Sequence, residues 1–274
     1  MIKVWTIILA LILNLLSFAS ITFAGSPKCI ISLAPNLTEI LFAMGLEDRI
    51  VGVTGFCDYP EAAKKKQKVG GMSNPSLEAV VSLKPDIVVM TTDGNFRDFE
   101  ERLRGLRIKT YVFKARRLTE LPQGIRDLGT ALGEKEKAGV LAANIEAALR
   151  KLQGVKTSQP KKVLFIIWPE PLIVAGPGTA VDDAIKMLGF VNIASKAKAS
   201  YPKYSIEEII RQSPDIILIG KGHAEIKNLS QGLLKKLAGT SAVRNNRVFF
   251  LSDNLYRLGP RIVKGIEEMS ACLQ

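Results

Sequence analysis

The sequence predicts an α/β fold: two similar α/β lobes with mainly parallel sheets, joined by a long backbone helix, with a ligand cleft between the lobes. Three observations predict it. Short apolar runs alternate with helical stretches along the chain. One helix–Pro–strand unit occurs twice. A long helical stretch separates the two copies. The chain divides on this basis into an N-terminal lobe over 25–118, connecting helices over 119–159 and a C-terminal lobe over 160–274.

The first lobe opens on Cys29-Ile30-Ile31-Ser32-Leu33, a short apolar strand. Pro35-Asn36-Leu37-Thr38 then starts a helix carrying Ile40, Leu41 and Met44, which ends at Gly45. Ile50 to Val53 is a second strand. Ser76 to Leu83 is a helix that must stop before Pro85. Asp86 to Met90 is apolar without alternation, the signature of a strand buried on both faces. Phe96 to Leu106 is a charged helix and Lys109 to Phe113 a strand. The connecting stretch has one helix over Leu121 to Leu132 and a second from Glu134, with Leu141, Ile145, Leu149 and Leu152 on one stripe. Carried to Lys156, the second helix is about 35 Å long at 1.5 Å per residue. The pattern then restarts. Val163 to Ile167 and Leu172 to Ala175 are strands, and Gly176-Pro177-Gly178-Thr179 opens a helix ending at Gly189. After the strand-like Val191-Asn192-Ile193 come a helix over Ser205 to Gln212, a strand over Asp215 to Ile219, a helix over Leu229 to Leu237, a strand over Arg247 to Leu251 and a final helix over Pro260 to Cys272.

The repeat is SLEAVVSLKPDIVV (76–89) against SIEEIIRQSPDIIL (205–218). Without a gap, Ser, Glu, Pro, Asp and Ile recur at an offset of 129, and five further positions exchange one apolar side chain for another. A shared helix-stop device explains Pro-Asp. It does not explain Ser and Glu at the same distance upstream.

Residues 1–24 have one charge, Lys3, then a nearly continuous apolar run from Val4 to Leu16 and small residues ending in Thr22-Phe23-Ala24. This is the layout of a cleaved secretory signal peptide. Retained, the same run is almost long enough for a membrane anchor. Ser26-Pro27-Lys28 before Cys29 does not fit a lipoprotein signal. A periplasmic or other extracytoplasmic address permits disulfides. The three Cys allow one bond, and spacing does not choose between Cys29, Cys57 and Cys272.

Composition excludes more than it assigns. One His and three scattered Cys cannot build a His-rich metal site, a zinc ribbon or an iron–sulfur centre. The single His223 lies in a loop-like Gly220-Lys221-Gly222-His223 segment, so no Cys has an evident base. The phosphate-loop, GxSxG, HExxH and CxxC patterns are missing. Asp182-Asp183 suits the first turn of a helix. The net charge of +12 opens the possibility of an anionic partner. Lys64-Lys65-Lys66, however, has no interleaved aromatics for base stacking, and nucleic acid is not an expected partner. Two lobes with a cleft, no catalytic residues and an export signal point to a binding protein and not an enzyme.

At these residues the chain resembles a known family. SLAPNLTEILFAMG (32–45), GFCDYP (55–60), VGGMSNPSLEAVVSLKPDIV (69–88), YPKYSIEEIIRQSPDIILIG (201–220) and SDNLYRLGPRIV (252–263) are similar to the helical-backbone class of substrate-binding proteins of ABC importers, and most of all to the vitamin B12 carriers. The resemblance covers nearly the whole chain after the signal segment. It implies capture of cobalamin, with a ferric siderophore or haem as the alternative ligand. It implies no bound cofactor beyond such a ligand, which brings its metal already chelated. It also implies a monomer that delivers its ligand to a permease homodimer with ATPase subunits. Glu78 and Glu207 fall at the family's acidic positions on the outer tips of the lobes, where they would pair with permease Arg residues. Pro35, Asn36 and Leu37 would lie in the first cleft loop. Tyr59 matches a ligand-stacking Tyr, Tyr201 stands where the B12 carriers often have Trp, and Asp253 and Arg257 match polar contacts from the last loop of the second lobe. Trp168, at a strand end, would be an aromatic wall. Thr91 and Thr92 stand where those carriers often place an aromatic. Met72 and Tyr59 are the available axial candidates for haem.

Overall fold

The computed structural model describes residues 26–92, 97–153, 159–221 and 226–273. The signal segment at 1–24 and His223 lie outside the described residues. In the N-terminal lobe, β1 (Ile30–Ser32), β2 (Ile50–Val53), β3 (Ile87–Thr91) and β4 (Thr110–Phe113) form a parallel sheet in the order β2-β1-β3-β4. Helices α1 (Pro35–Ala43), α2 (Glu61–Lys64), α3 (Leu77–Ser82) and α4 (Arg97–Gly105) flank it. In the C-terminal lobe, β5 (Lys162–Pro169), β6 (Leu172–Val174), β7 (Val191–Asn192), β8 (Ile216–Gly220) and β9 (Val248–Leu251) form the second sheet. Its order is β6-β5-β8-β9, with β7 beside the start of β5. Only the hairpin partner β6 runs antiparallel among the described strands. The connector is a hairpin of α5 (Leu121–Leu132) and α6 (Lys135–Lys151), and the C-terminal lobe adds α7 (Ala180–Met187), α8 (Ile206–Gln212), α9 (Ile226–Lys236), α10 (Ser241–Arg244) and α11 (Ile262–Leu273).

Strand parity explains the unbroken apolar runs. In β3, Ile87 and Val89 face the central core, while Val88 and Met90 face an outer cluster with Val80, Phe99 and Leu103. In β8, Ile216 and Leu218 face the centre, while Ile217 and Ile219 face an outer cluster with Ile209, Leu233 and Leu237. Both faces are covered, so β8 carries no polar side chain and β3 carries one only at its last residue, Thr91. The central cluster runs through both lobes and the connector, joining Ile30 and Phe113 to Leu128, Ile145, Phe165 and Leu251.

The connecting helices turn sharply. Gly133 adopts φ +71° at the end of α5, and the N–H of Glu134 donates to the Gly129 carbonyl at 2.7 Å. A Cβ at Gly129 would collide with the Ala138 Cβ, so glycine is what lets α5 and α6 approach. The 17 residues of α6 span about 25 Å. The helix is shorter than the expected 35 Å: it ends at Lys151 with Leu152 as its C-cap, Gln153 is already outside it, and 154–158 lie outside the described residues.

The sequence repeat is a structural repeat in detail. Ser76 and Ser205 each cap their helix, accepting from the N–H of Ala79 and of Glu208. Lys84 and Ser213, again 129 apart, both take positive φ (46° and 44°) to end the helix before Pro85 and Pro214. Asp86 then accepts from the N–H groups of Lys28 and Cys29 at 2.7 and 2.9 Å, and Asp215 from the N–H of Lys162 at 2.8 Å. The Cys29 and Lys28 N–H groups hold the Asp86 carboxyl below the usual carboxylate range. Each Asp thus ties the incoming strand to its neighbour, and the two lobes repeat the joint.

Replacing Ser76 or Ser205 by Ala should each lower unfolding stability by about 1 kcal/mol, the ordinary loss of a helix N-cap. Equal losses, read by urea unfolding, are the expected result for equivalent joints.

Candidate functional site

The candidate site forms where the carboxyl ends of the strands of both lobes meet, as open α/β sheets favour. From the first lobe, Pro35 and Asn36 follow β1, Phe56 follows β2, Thr91 ends β3, and Ala115 and Arg116 follow β4. From the second, Ala180 and Val181 begin α7, Tyr201 precedes α8, and Tyr256, Arg257 and Leu258 follow β9. Together with Met72 they enclose a cleft of about 300 Å³. Phe56 and Tyr201 are 55% and 49% exposed, which makes the cleft wall aromatic and open to an incoming ligand. The Arg116 Nε–H donates to Thr92 Oγ1 at 3.1 Å, which holds one guanidinium at the rim.

An ion network bridges the lobes beside this cleft. Glu39 on α1 is 3% exposed and is held by Arg261 through two bonds of 2.6 and 2.9 Å. Arg257 reaches Asp58 at 2.5 Å, Asp253 at 2.8 Å and Glu39 at 3.6 Å. Arg261 also donates to Asn254 at 2.7 Å and lies over the Tyr59 ring, 4.3 Å from its centroid. Burial pushes the Glu39 carboxyl above the usual range despite both arginines. At half-exposed Asp58, burial is outweighed by the Arg257 hydrogen bond and charge, and the carboxyl is held below the usual range. On the connector side, Asp183 accepts from Arg117 Nη2 at 2.7 Å and from the Leu118 N–H at 3.0 Å. The first-turn placement of Asp182-Asp183 is as expected, but both are buried and paired: Asp182 accepts from Lys186 at 2.6 Å and Asn192 at 2.9 Å.

The structure sorts the expected site residues. Pro35, Asn36, Tyr201 and Arg257 line the cleft. Asp253 and Tyr59 belong to the bridging network beside it. Leu37 does not line the cleft. It is fully buried in the central core, because it sits on the inward stripe of α1 with Ile40 and Leu41. Trp168 is not a cleft wall either. It shares strand parity with Leu164 and Ile166, packs on the outer cluster of the second lobe, and donates its indole N–H to the Glu170 carbonyl at 2.6 Å. Glu78 and Glu207 are exposed in the first turns of α3 and α8, away from the cleft, and neither carboxylate has an ion pair or hydrogen bond among the described residues. The three cysteines are unpaired, with Cys57 buried against Thr38 and Thr54 hydroxyls at 3.1 and 3.2 Å. The sequence reading missed Phe56, Arg116 and Tyr256 in the cleft and Glu39, Asp58 and Arg261 in the network. Phe56 and Tyr256 had a signal, an aromatic in a loop after a parallel strand. Glu39 had a weaker one, as the sole charge in an apolar helix.

Two similar lobes on a helical backbone, with an aromatic cleft at their strand ends, define a bilobed ligand-binding protein. The chain belongs to the periplasmic binding protein family, whose profile matches residues 30–255. An uncharacterized ABC transporter substrate-binding lipoprotein, YvrC of Bacillus subtilis (strain 168), is 30% identical over 91% of this chain and 81% of its own length. Among solved structures, the periplasmic heme-binding protein RhuT from Roseiflexus sp. RS-1 in apo form superposes with a TM-score of 0.82 at 29% identity, covering 90% of this chain and 97% of that one. The periplasmic vitamin B12 binding protein BtuF of Vibrio cholerae gives 0.80 at 28%, covering 91% and 97%.

The network makes a pH-dependent prediction. The folded Glu39 carboxyl binds its proton more tightly than the unfolded one. Its contribution to stability is therefore present below its ordinary value of 4.5 and is lost as pH rises through the raised folded value. Asp58 acts oppositely, contributing above its ordinary 3.8 and losing that contribution as pH falls through its lowered value. Arg261→Met strips Glu39 of its main partner and raises its pKa further. The variant should lose about 3 kcal/mol near neutral pH. Its deficit against the parent should shrink at acidic pH, as Glu39 takes up its proton. Melting curves of both proteins at the two pH values check this, and an equal deficit at both shows that Glu39 does not carry the effect.

Proposed function

We propose that this chain is the extracytoplasmic substrate-binding protein of an ABC importer, which captures cobalamin or a related corrinoid in the inter-lobe cleft and delivers it to the permease. The observation that carries this reading is the cleft itself: Phe56, Tyr201 and Tyr256 offer apolar ring surface from both lobes, and Asn36, Arg116 and Arg257 supply a few oriented polar groups. A large flat chelate needs this combination. The similarity to vitamin B12-binding proteins supports it. On this reading residues 1–24 export the chain, and the protein works as a monomer on a permease homodimer with its ATPase subunits. The acids Glu78 and Glu207 are its docking contacts.

A second reading keeps the role and changes the ligand to haem or a ferric siderophore. Two observations favour it: Met72 and two phenols, Tyr201 and Tyr256, stand at the cleft with two guanidiniums suited to anionic substituents, and a heme-binding protein is among the structural neighbours.

The two separate in a melting experiment on residues 25–274 with cyanocobalamin, cobinamide, hemin or ferrichrome. The ligand carried should stabilise the protein by about 2.7 kcal/mol at a hundredfold excess over Kd. No shift with either corrinoid rejects cobalamin. Tyr201→Ala should weaken the bound ligand by about tenfold. Glu78→Lys with Glu207→Lys should abolish uptake in cells while leaving the measured Kd unchanged, and unchanged uptake rejects the docking assignment.

A further inference from the structure

The two helices that carry Glu78 and Glu207 share a second feature that the charge pair does not use. Val81 is 40% exposed on α3 and Ile210 is 46% exposed on α8. They are separated by the same 129 residues as the acids, and each follows its acid by three. At that spacing the carboxylate and the apolar side chain lie on one face of the helix. The residue just before each, Val80 and Ile209, is fully buried and anchors the helix to its outer cluster. The core requirement is therefore already met by the inward residue. An exposed β-branched side chain adds nothing to helix formation and leaves apolar surface in water. A lone one is ordinary. Two at equivalent places, each beside a carboxylate with no ion pair among the described residues, on a chain of net charge +12, form a repeated acid-plus-apolar patch.

Resting on the docking reading above, we infer that Val81 and Ile210 are the apolar anchors of one docking surface. Each seats in an apolar recess beside a basic residue on the two equivalent halves of a two-fold symmetric permease. The charge complement and the repetition both specify that occupant: two like patches fit two like sites. The division of labour follows from the physics. Exposed ion pairs orient and steer the encounter but hold weakly and fade with salt. Burying Val81 and Ile210 supplies attachment that salt does not screen.

Placing a photocrosslinkable residue singly at positions 78, 81, 207 and 210 of the full chain, in the organism that makes it, tests this. Position 140 is the control, because Val140 is 63% exposed and apolar but lies on the backbone helix. Adducts from 81 and 210 to the same ABC permease polypeptide, with none from 140, are expected. Adducts from 78 and 207 without 81 and 210 overturn the inference and leave the docking reading standing. No permease adduct from any position overturns both. Val81→Asn with Ile210→Asn should weaken binding to permease-containing membranes by about tenfold at both low and high salt, with an unchanged melting temperature. Exchanging the pair, Val81→Ile with Ile210→Val, should leave binding intact. Full binding by the Asn double variant rejects the anchors.

Discussion

A carboxylate that is 3% exposed is stable as an ion only where a cation can reach it, and among the described residues the cations that reach Glu39 are not on its own lobe. Its partners, Arg261 and Arg257, come from the last segment of the other lobe, 222 residues away in the case of Arg261. Burial raises the Glu39 pKa even with both guanidiniums in place, so loss of either guanidinium from the closed site would leave a desolvated charge behind. This one interaction sets the spacing of the lobes at the cleft. Neighbouring contacts agree with it: the Asn36 side-chain amide donates to the Leu258 carbonyl at 3.2 Å, and Gly259 lies so close that an added Cβ would be 3.4 Å from the Asn36 carbonyl. Arg257 takes part in the network and also lines the cleft, so a ligand that contacts this guanidinium touches the group that holds the lobes together.

The backbone resists wide separation for a different reason. The central apolar cluster is continuous from the first sheet through α5 and α6 to the second sheet, and opening it would expose surface from all three at once. The connector itself packs tightly, since Gly129 lets α5 meet Ala138 of α6. Arg117 and Asp183 then join the end of the first lobe to α7. The cleft therefore lies between two ion clusters and above an undivided core. That arrangement opposes a large hinge movement between the lobes.

Most of the fold was legible because it rests on local rules. Apolar runs without alternation marked β3 and β8, Pro85 and Pro214 marked helix ends, and the recurrence of Ser, Glu, Pro and Asp marked equivalent joints whose caps and strand ties the structure repeats. The cleft was legible only in part. A loop after a parallel strand points to the right place, as for Asn36 and Tyr201, but not to which side chain faces it. Leu37 and Trp168 both lie near strand ends, yet one is turned inward by the helix period and the other outward by strand parity. The network was not legible at all as a pair. Nothing local joins Glu39 to Arg261, because the contact exists only after both lobes have folded and met.

The repeat is retained unevenly, and the pattern follows what each surface faces. On their exposed faces, α3 and α8 keep the Ser cap, the acid, the inward apolar residue and the outward apolar residue in the same order. In the cleft the lobes share no such order: the first contributes Phe56 and Arg116, the second Tyr201, Tyr256 and Arg257. The proposed corrinoid or haem presents different edges to the two lobes, so unlike walls suit it. A partner built from two identical subunits presents the same recess twice, so divergence at either helix loses contacts on that side. On the proposed reading the symmetric surface and the asymmetric one answer to different partners, the retained half of the repeat to the permease and the diverged half to the ligand.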